Sequence, residues 1–157
     1  MNLSGVVSSG LGRAQVFMAQ PHYQDQFRAL LGATAWPGTL NVTVEGNDLV
    51  EYIALRQLAG LDTLDVDEKV RQSAKDVNTA TFPLHRIRGF LRDGVSFGGA
   101  SAFLATVTVD DQAVPCAVLI PDLTRHIDVV ELISTEFLRK RLDLKDGDRV
   151  TLSLSIS

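Results

Sequence analysis

Little in this chain speaks for thiolate, zinc or membrane chemistry. Cys116 is the single cysteine, so no intrachain disulfide and no CxxC metal pair can form. Its flanks, Val114 to Ile120, read as a buried strand, which makes Cys116 a core residue. The three histidines, His22, His85 and His126, are scattered without a ligand spacing such as HxxxH. No apolar stretch approaches the roughly 20 residues that cross a bilayer. Met1 to Val7 has neither a basic n-region nor a long apolar run, so the cytoplasm is the expected compartment and no membrane partner is expected. A basic excess is also missing. With 15 Lys and Arg against 19 Asp and Glu the net charge is −4, which argues against a general nucleic-acid binder. The Walker A pattern GxxxxGK[ST] is absent. Gly10-Leu11-Gly12 lacks the third glycine of a dinucleotide fingerprint, and a strand rather than a helix is expected after it.

What is there fits one domain. The 157 residues, 45% apolar, can bury a core without staples, and residues 1–157 are read as a single unit. Strands are expected at Leu3 to Val7, Ala14 to Met18, Thr39 to Val44, Phe82 to Phe90, Ala102 to Val109, Ala113 to Ile120 and Arg149 to Ile156. The last alternates cleanly, with Val150, Leu152, Leu154 and Ile156 on one side. Tyr23, Phe27, Leu30 and Leu31 set a helical period over His22 to Leu31, ended by Gly32, and Phe137 to Leu142 reads as a second short helix. Gly46-Asn47-Asp48 and Arg92-Asp93-Gly94 read as turns. Leu49 to Leu64 has no clear period, Val66 to Val77 reads as a short exposed helix, and the stretch at about 49–81 looks like an excursion from the core. Many strands, two short helices and no βαβ rhythm favour a closed or nearly closed β-barrel.

Several segments can carry chemistry. In Trp36-Pro37-Gly38-Thr39-Leu40-Asn41-Val42, Pro-Gly sets a tight turn and a strand follows. Leu40 and Val42 share one face, and Thr39 and Asn41 share the other. A hydroxyl and an amide oxygen so placed can share a hard cation such as Mg²⁺; the plain alternative is a turn with two solvated polar residues. Gly10 to Gln15 can offer backbone N–H groups to phosphate, with Arg13 adding charge, or can simply be a hairpin turn. Ile120-Pro121-Asp122-Leu123-Thr124-Arg125-His126 leaves a strand end as a polar loop, a common place for function. Glu131 lies in the apolar run Val129 to Ile133 and must find a partner, face a cavity or sit on the solvated face of a short helix. Arg139, Lys140 and Arg141 either meet phosphate or complement a helix end.

The order of these pieces resembles the archaeal CTP-dependent riboflavin kinases. The resemblance rests on Gly10-x-Gly12, Leu31-Gly32, Pro37-Gly38-Thr39-Leu40-Asn41-Val42, Ile87-Arg88-Gly89-Phe90, Phe97-Gly98, Ile120-Pro121-x-x-Thr124-x-His126, Val130-Glu131-x-Ile133 and Leu138-Arg139-x-x-Leu142-x-Leu144-x-Asp146-Gly147-Asp148-x-Val150. It implies a mainly β fold, a six-stranded cradle-loop (RIFT-like) barrel with short helices. It also implies transfer of the γ-phosphate of CTP to the 5′-hydroxyl of riboflavin, giving FMN and CDP. By the same resemblance Gly10, Leu11, Gly12, Arg13, Ala14 and Gln15 cradle the nucleotide, with Glu136, Phe137, Leu138 and Arg139 on its base side. Thr39 and Asn41 hold Mg²⁺ and, with Glu131, form the catalytic set. Thr124 and Glu131 contact the flavin. A monomer without nucleic-acid partners is expected, and since the chain begins at the barrel, direct transcriptional control is not. This chain departs from the family pattern in Arg13-Ala14-Gln15, in the length of the stretch at about 49–81, and in a loop from Thr124 to Glu131 about one residue short. The alternatives are a flavin- or nucleotide-binding barrel without turnover and, less favoured, a DNA-binding regulator barrel.

Overall fold

Alternating apolar and polar residues build the sheet, and the sheet closes on itself. The computed structural model describes residues 1–10, 14–124 and 126–156. Leu11, Gly12 and Arg13 of the glycine-rich loop, with Arg125 and Ser157, lie outside the described residues. In chain order the elements are β1 (Asn2–Ser8), α1 (Ala14–Met18), α2 (Pro21–Leu31), β2 (Leu40–Thr43), α3 (Gly46–Leu58) and α4 (Glu68–Lys75). Then come β3 (His85–Ile87), β4 (Phe90–Arg92), β5 (Val95–Phe97), β6 (Ala100–Val109), β7 (Gln112–Pro121), β8 (Val129–Ile133), α5 (Leu138–Arg141) and β9 (Arg149–Leu154).

The main sheet runs β3-β6-β7-β8-β2-β1-β9, and β6 pairs with β9 as well. That pairing closes six strands into an antiparallel barrel, as expected from the sequence. Closure depends on the length of β6. Its residues Ala105 to Thr108 pair with β9, and Ala100 to Ala102 pair with the short β3. β4 and β5 form a separate hairpin whose turn residues, Asp93 (φ 51°) and Gly94 (φ 77°), both take the left-handed conformation of a two-residue turn.

The two faces of the strands build two apolar clusters. Leu3, Val42, Phe103, Val118, Leu132 and Leu152 point into the barrel, each 1% exposed or less, and join Tyr52 to Leu55 of α3. Each such burial contributes about 1.5–3 kcal/mol. The opposite face presents Ala100, Ala102, Ala117, Leu119 and Ile133, which are covered by Met18 of α1 and by Tyr23 and Phe27 of α2. Cys116 is buried, as expected, and burial pushes its thiol pKa up to about 12.

Four expectations are corrected. Ala14 to Met18 is a helix, not a strand; Met18 is buried in the α2 cluster with Ala14 against it, while Val16 and Phe17 stay exposed. Gly46-Asn47-Asp48 is the first turn of α3, and the stretch that follows is helical to Leu58. Tyr52 to Arg56 are all buried, so this helix has no polar stripe to betray its period. The strand expected over Phe82 to Phe90 is confined to His85–Ile87, and Phe90 opens the β4–β5 hairpin. Among the described residues helices number five rather than two. The exposed helix expected near Val66 to Val77 is α4, and Ile156 lies beyond β9, exposed.

Candidate active site

The site lies on the outer face of the barrel, between the strands and the α1–α2 pair. One row of cross-strand partners crosses that face: Ser8 beside Asn41, Asn41 beside Glu131, Glu131 beside Leu119, and Leu119 beside Ala102. Partners in register point to the same side of a sheet. The row therefore grades from hydroxyl, amide and carboxyl to aliphatic side chains.

Three adjoining hollows follow this gradient. An apolar compartment of about 370 Å³ is lined by Phe17, Met18, Tyr23, Phe27, Ile87, Leu119 and Leu123, among others. A polar compartment of about 400 Å³ is lined by Ser8, Ser9, Gly10, Ala14, Gln15, Asn41, His126 and Arg139, among others. A third, of about 230 Å³, is walled by Trp36, Glu136, Phe137, Leu138 and Arg139, among others. Thr39 lines all three, and Glu131 is shared by the apolar and polar ones.

Local structure explains these placements. Leu40 and Val42 are buried in the barrel, so Thr39 and Asn41 face outward, as the alternation predicts. The Thr39 hydroxyl donates to Asn41 Oδ1 at 2.9 Å. Two oxygens at that spacing match neighbouring corners of a Mg²⁺ octahedron, about 3 Å apart for ligands at roughly 2.1 Å. The pair is neutral, and among the described residues no group of three or more His, Cys, Asp or Glu could hold a metal. A cation here thus needs anionic oxygens from a ligand. A Cβ on Gly10 would strike the Asn41 side-chain amide, so glycine keeps the loop against Asn41.

Glu131 is in a strand, not on a helix face. Burial raises its pKa above the usual carboxyl range, and His126 partly opposes that rise. Arg139 donates to Asp146 Oδ1 (2.7 Å) and to the Ser8 carbonyl oxygen (3.3 Å), and Ser9 Oγ donates to the other Asp146 oxygen. These bonds hold the Asp146 carboxyl below its usual pKa, the Ser9 bond first. They also join the glycine-rich loop to α5. Glu136 pairs with Arg141 at 3.3 Å.

The sequence-derived residues do not all converge. Gly10, Ala14, Gln15, Thr39, Asn41, Glu131, Glu136, Phe137, Leu138 and Arg139 line the connected hollows. Leu11, Gly12 and Arg13 lie outside the described residues. Thr124 is half-buried and lines none of the three; its amide bonds the Pro121 carbonyl oxygen at 3.1 Å.

Sequence reasoning missed the supports from α2. Tyr23 Oη bonds the Gly98 carbonyl oxygen. Gln24 accepts from the Ala35 amide and donates to its carbonyl oxygen, in the manner of a strand partner, and so fixes the approach to Pro37-Gly38. Gln26 does the same for Arg88. Trp36 also went unassigned; it stacks on Phe137 at 4.8 Å and 13°. The one available signal was the 3.6-residue period of α2, which marks a buried face and not what that face encloses. Arg86 and Asp122 form a two-bond ion pair, 2.8 Å each, at the rim of the apolar compartment, and Gly99 packs so closely there that a Cβ would crowd both side chains.

Residues 7–67 and 60–154 match the family model CTP-dep_RFKase, whose description is "Domain of unknown function DUF120". The chain belongs to this family. Among curated relatives, a riboflavin kinase of Thermoplasma acidophilum is 31% identical over 152 residues, 97% of this chain and 56% of the relative. One of Methanospirillum hungatei is 34% identical over 155 residues (98% and 58%), and one of Thermofilum pendens 32% over 158 (99% and 60%). The chain thus spans a little over half the length of these relatives. The two segments matched to the family model meet at 60–67, between α3 and α4. Among the described residues no helix is long and apolar enough to cross a membrane.

Proposed function

We propose that this chain is a CTP-dependent riboflavin kinase. The observation that carries the reading is the junction at Thr39 and Glu131, where an apolar compartment meets a polar one. The isoalloxazine ring suits the apolar compartment, where Tyr23, Phe27 and Leu119 offer faces to a flat ring. Triphosphate suits the polar one, where Ser8, Ser9 and Gly10 lie beside Arg139. Cytosine falls in the third hollow, beside the Trp36–Phe137 stack. The ribityl chain then lies along the junction, with its 5′-hydroxyl facing the γ-phosphate. In the reaction, the bond between the γ-phosphorus and the β–γ bridging oxygen breaks and CDP keeps the electron pair. A bond from the riboflavin 5′-oxygen to that phosphorus replaces it, and the hydroxyl proton passes to the Glu131 carboxylate and on to solvent.

Phosphoryl transfer asks mainly for alignment and charge neutralisation. Thr39 and Asn41 are the residues to hold Mg²⁺, whose chemistry is to neutralise phosphate charge as the leaving group departs. Asn41 and Thr39 also set the depth of the ligands along the sheet row. Glu131 receives the hydrogen bond of the flavin hydroxyl and so orients it; a loose transition state needs little more from a base. Half-closed by α1 and α2, the junction limits water access and so favours transfer to the flavin over hydrolysis.

The direct test supplies riboflavin and Mg²⁺ with CTP, ATP, GTP or UTP in separate reactions and reads FMN. FMN with CTP alone is the expected outcome. FMN equally from all four would remove the donor assignment, and none from any donor despite ligand binding would leave a binding barrel without turnover.

A further inference from the structure

His126 lines the polar compartment with Asn41, Glu131 and Arg139, yet it has no part in the reaction as set out. It is exposed, and its main chain is held from below. Arg56 of α3 is only 5% exposed, and its Nη1 donates to the His126 carbonyl oxygen at 2.7 Å. The guanidinium carbon stands 5.9 Å from the centre of the Tyr52 ring, and Nε has no partner among the described residues.

That is an expensive arrangement for a core. Desolvating a guanidinium costs several kcal/mol, and one unmet N–H adds to the cost. Tyr52, Ile53, Ala54 and Leu55, immediately before it, are buried without any such demand. A methionine at position 56 would fill similar space with no unmet donor. Stability therefore does not account for the arginine, and among the described residues what its side chain holds by hydrogen bonding is one carbonyl group, that of the residue facing the polar compartment.

We propose that His126 is a further ligand-contacting residue, binding phosphate oxygens in the polar compartment, and that Arg56 is the positioning residue that keeps it there. The inference rests on the assignment of that compartment to phosphate. It gives α3, part of the stretch that looked like an excursion, a task at the site. Arg139 and His126 then approach the phosphates as the two basic side chains lining the compartment among the described residues.

The test uses the full chain and inorganic tripolyphosphate, read by NMR of the imidazole carbons; only His22, His85 and His126 contribute. Tripolyphosphate is expected to shift the His126 resonance and leave that of His85 in place. His126→Gln should weaken tripolyphosphate binding about tenfold, the loss of one hydrogen bond to a charged group. Arg56→Met should displace the His126 resonance before any ligand is added and weaken binding about as much, with Arg56→Lys in between. Melting curves of both Arg56 variants separate this from unfolding. A His126 resonance that ignores tripolyphosphate, with wild-type affinity in His126→Gln, overturns the contact. A folded Arg56→Met whose His126 resonance and affinity match wild type overturns the positioning role. A chain that makes FMN with a silent His126 overturns this inference alone, and one whose His126 responds while no FMN forms overturns the kinase reading alone.

Discussion

The apolar and polar compartments share a sheet face but are built by opposite means. The apolar one is made of large side chains, several contributed by two helices laid across the strands. The polar one is made of small and polar residues, with Ser8, Ser9, Gly10 and Gly38 leaving room, Asn41 and Glu131 supplying oxygens, and His126 and Arg139 supplying basic groups. On the function proposed, shape would select the ligand in the first, and hydrogen bonding and charge would select it in the second. The contrast teaches that a single row, Ser8-Asn41-Glu131-Leu119-Ala102, can set two unlike surfaces end to end.

The sharpest way to break the contrast is at its polar end. Asn41→Ala is expected to lower turnover at least ~100-fold while the melting temperature stays near wild type, because Asn41 points away from the barrel core. Steady-state FMN formation beside thermal unfolding checks this; wild-type turnover in the double variant Thr39→Ala/Asn41→Ala would eliminate their proposed metal role.

At the junction, Glu131→Gln should weaken flavin binding about tenfold, the value of one hydrogen bond to a charged group. Its stability should move the other way. A carboxyl whose folded pKa lies above its unfolded value favours the fold while protonated, and that contribution is lost as pH rises from the ordinary value through the raised one. The variant should therefore match wild type in acid and melt about 2 °C higher at neutral pH. Flavin titration and melting curves across pH read both effects, and equal affinity would remove Glu131 from the flavin contacts.

At the apolar end, Phe17 is half exposed and lines the compartment proposed for flavin. Phe17→Ala should weaken riboflavin binding about fivefold and leave CTP binding unchanged; a matching loss of both would erase the division between the compartments. The smallest effect belongs to the rim. Arg86→Met removes a bidentate but half-exposed ion pair and should cost about 1 kcal/mol or less. Arg86 holds the Asp122 carboxyl below its usual pKa. The difference between variant and wild type should thus be full at neutral pH and fade as pH falls through the lowered value, which acid-unfolding curves will reveal.

How much of this was legible in the sequence varies by element. The long strands were: β9 and β6 from Phe103 onward alternate and burial follows, and the unbroken apolar run Cys116 to Ile120 suits a β7 that is covered on both faces. The outward pair Thr39 and Asn41 was legible for the same reason. α1 was not, since five residues, Ala-Gln-Val-Phe-Met, carry too little period to separate helix from strand. α3 was hidden by five consecutive buried residues. The α2 glutamines escaped notice because an amide standing in for a strand partner leaves no trace in composition. Nor does any local pattern reveal that His126 and Arg56, 70 residues apart, share a bond.

The position of β1 between β2 and β9 carries a consequence for time. The glycine-rich loop follows β1, near the start of the chain, but Ser8 and Ser9 find partners in Arg139 and Asp146, and Val7 exchanges main-chain bonds with Gly147 and Asp148. No local nucleus can supply such contacts. The polar compartment exists only once residues 139–154 have been synthesised and have returned to β1. Barrel closure, a slow search across most of the chain, is expected to set the pace of folding, while α2 and the β6–β7 hairpin form early. On the ribosome, the polar compartment would be the last part of this barrel to appear.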